Sequence, residues 1–192
     1  MLNNMTIKSR LIFVISFLSL LLAVVGSLGM YSLNETNKSF KGVYEDRTVP
    51  LGDLGMILDR MQRTRLNAAI SAYARKPELA KERQSMNDQR DAEIASFWQK
   101  YMATRFVPEE ASIAENFINQ WRIYTESRNR TMALATAGDF DAAVVNMTGD
   151  AGAKFDAAHT TMLKLLEFQR AESQKQYETA QDSFETISMF SS

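Results

Sequence analysis

The sequence predicts an all-α protein: an antiparallel, up-down-up-down four-helix bundle whose first helix is continuous with an N-terminal transmembrane helix. Three observations predict it. Leu11 to Met30, LIFVISFLSLLLAVVGSLGM, runs twenty residues without a charge. Beyond it, apolar residues recur at steps of three and four, the period of one helix face, with almost no two-residue alternation. The breaks fall at Lys76-Pro77, Val107-Pro108 and Gly138-Asp139, and such short connections make consecutive helices antiparallel neighbours.

The apolar run spans roughly 30 Å at 1.5 Å per residue, the thickness of a bilayer core. Lys8 and Arg10 precede it and the next charge, Glu35, is acidic. The positive-inside rule therefore assigns residues 1–10 to the cytoplasm, 11–31 to the membrane, and sends residues 32 onward across it. A cleaved signal peptide is the rival, but its apolar region is about 7 to 15 residues long and ends in a small-x-small site, whereas SLGMYSLNE offers a poor one. Ser16, Ser19, Ala23, Gly26 and Ser27 share one side of the span, and such a small-residue stripe suits self-association.

Residues 32–186 form the expected bundle. The first helix continues to about Arg75, with a kink at Pro50. Lys76 ends it, because the residue before a proline is pushed out of the α region. A second helix covers about Glu78 to Arg105, with Ile94, Phe97 and Tyr101 on one face. The third opens at Pro108-Glu109-Glu110, where an early proline and acids suit a helix start. Its seam reads Ala114, Phe117, Trp121, Tyr124, Arg128, Thr131, Ala135. The fourth carries Val144, Thr148, Ala151, Phe155, Ala158, Met162 and Leu165, loosened around Gly149 and Gly152. Residues 187–192 read as the approach to a second crossing that lies outside this sequence.

Composition excludes several function classes. A net charge of −1 over 192 residues argues against nucleic-acid binding. With no cysteine there is no disulfide framework and no thiol chemistry. His159, the single histidine, cannot build a metal cluster alone and reads as surface or seam packing. No nucleophile-base-acid set, phosphate loop or H-E-x-x-H motif is present, so the sequence makes no case for an enzyme or a cofactor.

The candidate site rests on arginines among apolar seams. On the first helix the steps Leu51, Leu54, Leu58, Met61, Arg65, Ala68, Ala72 place Arg65 where neighbours are oily. Counted from the turns at Pro77 and Gly138, Arg65 lies at a depth of roughly 18 Å, Arg128 and Thr148 roughly 15 Å, Tyr124 roughly 21 Å and Arg90 roughly 20 Å. One polar layer across four helices is the expectation. A buried guanidinium needs a partner. Glu93 is a candidate, and Asp59 or Asp91 could swing in. The functional reading supplies a small anionic ligand instead, gripped by Arg65, Arg128 and Arg90, hydrogen-bonded by Tyr124, Thr148 and Asn146, and walled by Trp121. The plain alternative is that each arginine lays its stem on apolar surface with its head in water, and that Trp121 and Tyr124 are core.

Several stretches resemble a family. MTIKSRLIFVISFL is similar to the start of bacterial methyl-accepting chemotaxis proteins. YEDRTVPLGDLGMILDRMQRTRLN resembles the first helix of their four-helix-bundle ligand-binding domain, and YTESRNRTMALATAGDFDAAVVNM the turn between its third and fourth helices. The resemblance implies that the membrane is the inner membrane and its far side the periplasm. It implies a homodimeric periplasmic sensor of amino acids or organic acids, which passes a fourth-helix displacement through the lipid bilayer to cytoplasmic signalling partners. Aspartate-sensing members carry an arginine in a Thr-Arg-x-Asn setting, matched by Thr64, Arg65, Leu66 and Asn67, and a threonine that aligns with Thr148. Their two further arginines fall on Ile70 and Ala74, which argues against aspartate as the ligand here. The same ectodomain on a sensor histidine kinase or cyclase receptor, or a membrane-anchored protein-binding bundle, stays open as an alternative.

Overall fold

The computed structural model describes residues 7–43, 49–104 and 106–189. All the described regular structure is helical: α1 (Ile7–Val43), α2 (Val49–Tyr73), α3 (Pro77–Met102), α4 (Pro108–Thr136), α5 (Phe140–Thr148) and α6 (Asp150–Met189). The chain divides into two compact units, residues 1–43 with 176–192, and residues 44–175. The expected continuity between the apolar helix and the bundle falls on residues 44–48, outside the described residues, as do Arg105 and the last three residues of the expected approach to a second crossing.

In the first unit, α1 is the one described helix long and apolar enough to cross a membrane, over Ile7–Lys38. Its apolar side chains are bare, Leu22 at 73 % and Leu28 at 64 % exposure. The Ser27 hydroxyl donates to the Ala23 carbonyl at 2.7 Å, which satisfies it within the helix.

In the second unit the helix ends follow their local chemistry. Pro50 sits in the first turn of α2, where the N–H it lacks would have no partner. Pro77 and Pro108 open α3 and α4 at the same kind of position. Gly138 adopts φ +86°, the left-handed conformation that glycine takes without a Cβ penalty. There the Asp139 N–H reaches the Leu134 carbonyl and the Gly138 N–H the Ala135 carbonyl, the paired bonds of a Schellman end. Asp139 then caps α5, its side chain accepting from the Ala142 N–H at 3.2 Å.

Cross-helix partners fix the topology. Along α2 and α3, Arg60 meets Glu93 and Asn67 meets Asn87, so one helix climbs as the other descends. The same inverse order holds for Tyr101–Glu110 and Asp91–Arg128 between α3 and α4. It holds again for Thr131–Asn146, Ser127–Asp150 and Gln169–Glu110, where α4 meets α5 and α6. The fold is the expected antiparallel four-helix bundle, with α5 and α6 forming its fourth member.

The core is built by Leu54, Ile57 and Met61 of α2, Ile94 and Tyr101 of α3, Phe117, Trp121 and Tyr124 of α4, and Phe155, Met162 and Leu165 of α6. Near the Pro77 and Gly138 turns it narrows to Ala72, Ala80, Ala135 and Ala143, small enough to let backbones close in. Aromatic rings run through the centre, with Trp121 5.2 Å from Tyr124 and Tyr124 5.1 Å from Phe155, centroid to centroid.

Two seams differ from expectation. On α4 all seven expected positions are buried. On α2 Leu54, Met61, Ala68 and Ala72 are buried as expected, but Ile57, Thr64, Asn67 and Ser71 are buried too while Leu51, Leu58 and Arg65 are not, so Thr64 occupies the core position expected for Arg65. One residue is a 100° turn of the helix, enough to swing Arg65 out of the core. On the fourth helix Ala151, Phe155, Ala158, Met162 and Leu165 are buried as expected, but before them Ala143 and Asn146 turn inward in place of Val144 and Thr148. Gly149, at φ −93° and ψ −92°, breaks the helix between the two registers. A Cβ there would lie 3.0 Å from the Val145 carbonyl oxygen, so the break uses the glycine's missing side chain.

Candidate functional site

The expected arginine layer separates into three places. Arg128, fully buried on α4, donates from both terminal nitrogens to Asp91 of α3, at 2.9 and 2.6 Å. Asn129 Oδ1 accepts from Nη2 at 2.9 Å and from Nε at 3.3 Å. The bidentate grip expected for a ligand is thus closed on a carboxylate of the chain itself, one that adjoins the seam and swings in. This is the geometry in which arginine binds a carboxylate most strongly, and it locks α3 to α4.

Tyr124 lies beneath it, with the Arg128 guanidinium carbon 5.9 Å from its ring centroid. Its hydroxyl is buried and closes no hydrogen bond of ordinary geometry. The neighbouring Thr64 hydroxyl donates its proton to the Met61 carbonyl. Burial pushes the Tyr124 phenol up to about 12, against the smaller opposing pull of Arg128 and Thr64. Trp121 packs against Tyr124 and Phe117 and is 7 % exposed, a core residue with little wall left to present.

Arg65 takes the opposite course. Its side chain is 46 % exposed and leans across to α6, with the guanidinium carbon 4.5 Å from the Phe155 ring centroid. Among the described residues a single ion pair reaches it, from the 68 % exposed Asp156 at 3.5 Å. An exposed pair at that separation contributes at most about 1 kcal/mol. Phe155 also stacks on His159, at 5.5 Å. Arg65 therefore bridges α2 and α6 while keeping donors open to solvent.

The remaining expected residues are dispersed. Asn146 is buried, its amide donating to the Ser127 carbonyl at 2.9 Å and to the Thr131 hydroxyl at 2.8 Å, so its donors are committed to α4. Thr148 is exposed at the end of α5, its hydroxyl donating back to the Val144 carbonyl at 2.8 Å. Seven residues, roughly 10 Å of helix rise, separate it from Phe155, so it lies beyond the height of Arg65 rather than beside it. Arg90 belongs to a cleft between α2 and α3, lined also by Arg60, Arg63, Met86, Gln89 and Glu93.

Sequence reasoning left Arg60, Arg63 and Phe155 out of the site. Arg60 bonds Glu93 and Asp59, and Arg63 Nε bonds both oxygens of Asp59 at 3.1 and 2.9 Å. The Arg63 hydrogen bond, and then that of Arg60, hold the Asp59 carboxyl below its usual range. The approach of Arg60 and Arg63 to Glu93 and Arg90 was readable from the antiparallel register of α2 and α3. Phe155 was read as core, which it is at 0 % exposure, and its ring face is covered by Arg65, which the sequence places on the seam instead.

Chemically, this assembly can hold charge and change helix contacts. Among the described residues no group of three or more His, Cys, Asp or Glu side chains is placed to hold a metal ion.

A search of curated proteins finds no match to this chain. The family model described as "four helix bundle sensory module for signal transduction" matches residues 4–184, which takes in the apolar helix and nearly all of the bundle. The chain belongs to that family, the four-helix-bundle sensory modules of methyl-accepting chemotaxis proteins.

Proposed function

We propose that the chain is the periplasmic sensory module of a transmembrane chemotaxis receptor, acting as a homodimer that binds a small organic acid or amino acid. The observation that carries this reading is the state of Arg65: a half-exposed cation laid on Phe155 of α6 and held by one long contact to Asp156. A ligand carboxylate can take that guanidinium bidentately, which the 3.5 Å contact to Asp156 does not. Asp156 is then released, and the force between α2 and α6 changes. The ligand has different contacts in the two states, which is the requirement for it to shift their balance. The fourth helix carries that shift towards the membrane.

Leu66 and Tyr73, seven residues apart on one face of α2, are 58 % and 59 % exposed, and Val145 of α5 is 71 % exposed. Bare apolar side chains on α2 and α5 suit a face covered by a second copy. Thr148 and Asn146 stand away from Arg65 and take no part in this reading, while Arg128, Tyr124 and Trp121 belong to the rigid core behind it.

Thermal unfolding of the full chain in lipid nanodiscs, against a panel of organic acids and amino acids, tests the proposal. A ligand at a hundred times its dissociation constant adds about 2.7 kcal/mol of stability. Arg65→Ala removes that gain while leaving the helical signal unchanged. A ligand that stabilises Arg65→Ala as strongly as the wild type refutes the assignment.

A further inference from the structure

The cleft between α2 and α3 has a volume of about 320 Å³ and is lined by Arg60, Arg63, Met86, Gln89, Arg90 and Glu93. It is complete within one protomer and shares no lining residue with the α2–α6 contact made by Arg65. Three guanidinium groups meet one lining carboxylate there, and that carboxylate is already committed, since Glu93 binds Arg60. Asp59 stands beside the cleft and takes Arg60 and the Arg63 Nε. The Arg63 terminal nitrogens keep their donors, on a side chain 54 % exposed. Arg90 donates once, to the Met86 carbonyl at 3.3 Å, and among the described residues it meets no carboxylate.

The seam behind the cleft shows the same imbalance. Asn87 is fully buried and bonded to Asn67 through its oxygen, which leaves its Nδ2 without an acceptor. Arg83 gives one terminal nitrogen to Asn67 and Met86, and its buried Nε has no acceptor. Among the described residues, the buried side-chain atoms without a partner on this stretch of α2 and α3, Arg83 Nε and Asn87 Nδ2, are both donors.

We infer that the α2–α3 cleft is a second ligand site, one for a compact oxydianion of the dicarboxylate or phosphate class, held by Arg90 and Arg63. Liquid water occupies about 30 Å³ per molecule, so the cleft accommodates roughly ten non-hydrogen atoms. That is the size of a four-carbon dicarboxylate, whose two ends match two guanidinium groups facing one space. Gln89 offers an amide to a further ligand oxygen, and Met86 gives the cleft an apolar wall.

Calorimetric titration of the full chain in nanodiscs with succinate, and separately with inorganic phosphate, tests this. The titrations are made in an Arg65→Gln background, so the proposed α2–α6 site contributes nothing and the two assignments stand or fall separately. Saturable binding of at least one probe is expected, weakened about tenfold or more by Arg90→Gln and by Arg63→Gln. Gln89→Trp, which fills the cleft without removing a charge, abolishes binding while far-UV circular dichroism stays unchanged. Lys81→Gln, an exposed charge elsewhere on α3, leaves binding as it was. Binding of succinate alone assigns the site to organic acids; binding of phosphate alone assigns it to phosphate or its esters. No saturable binding of either probe, equal affinity in Arg90→Gln, or an equal loss in Lys81→Gln overturns the inference.

Discussion

Replacing Asp91 by alanine removes the counter-ion of a guanidinium that has no solvent to turn to. Arg128 is 0 % exposed, and Asp91, at 27 %, is its one carboxylate among the described residues. Breaking a buried pair from one side costs about 3–5 kcal/mol, because the remaining charge is left desolvated. The opening left by a partly exposed aspartate admits some water, which places the cost of Asp91→Ala near the lower bound, about 3 kcal/mol. Unfolding releases about 2.1 cal/mol/K per residue, so for the bundle unit this lowers Tm by roughly 10 °C. Arg128→Met alone removes the charge and keeps the volume, leaving a hydrated carboxylate, and costs about 1 kcal/mol. The double variant Asp91→Ala/Arg128→Met returns to within about 1 kcal/mol of the wild type, since apolar replacement of a buried pair is often neutral. Urea unfolding of the four proteins, followed by circular dichroism under identical lipid conditions, closes the cycle. A loss below about 1 kcal/mol for Asp91→Ala, or a double variant less stable than either single one, refutes the view of this pair as a closed structural lock.

Tyr124→Phe is neutral or slightly stabilising near pH 8, because the hydroxyl it removes closes no hydrogen bond. The wild-type phenol, raised to about 12 by burial, keeps its proton in the folded chain after the unfolded chain has lost it near 10. Stability from this group is therefore complete below pH 10 and falls between pH 10 and 12, by at most about 2–3 kcal/mol, a decline that the phenylalanine variant does not share when both are unfolded across that range. Asn146→Ala removes the two hydrogen bonds that tie α5 to the Ser127 carbonyl and the Thr131 hydroxyl of α4 and costs about 2 kcal/mol in chemical unfolding, whereas a change under about 0.5 kcal/mol contradicts its buried role. Asp156→Asn frees Arg65 from an exposed pair worth at most about 1 kcal/mol, so affinity for an anionic ligand rises by up to about fivefold in calorimetry, and a loss of affinity speaks against competition at Arg65.

The bundle was legible because its signals are local and redundant. Pro77, Pro108 and Gly138 punctuate the chain at positions where backbone chemistry permits little else, and the α4 seam repeats without a fault from Ala114 to Ala135. Helix depth was legible in part: Tyr124 and Arg65 do meet at one height, through Phe155, whereas Thr148, expected in the same layer, lies beyond it. Rotation was not. On α2 both the line through Thr64 and the line through Arg65 obey three- and four-residue steps, and only the packed neighbours decide between them. On the fourth helix, register before Gly149 could not be carried back from Phe155, because a backbone break resets it. Asp91 was visible as a residue able to swing in, yet whether it or a ligand meets Arg128 depends on a side-chain reach that periodicity does not encode.

These separations bear on how the module can respond. Had Arg65 and Arg128 shared one buried pocket, ligand would have to replace the whole counter-charge of the core, a change on the scale of the domain's own stability. Instead the deep cation is tied to Asp91 and fixes α3 against α4, whereas the shallow one rests on α6 through a ring and a loosely held, solvent-exposed carboxylate. Only the second contact is weak enough for a small anion to exchange. The Gly149 break lies on the same helix, between α5, which Asn146 pins to α4, and the long α6. A sensor needs one fixed pair of helices and one whose contacts yield to a small free energy, and the arginines are distributed along that division.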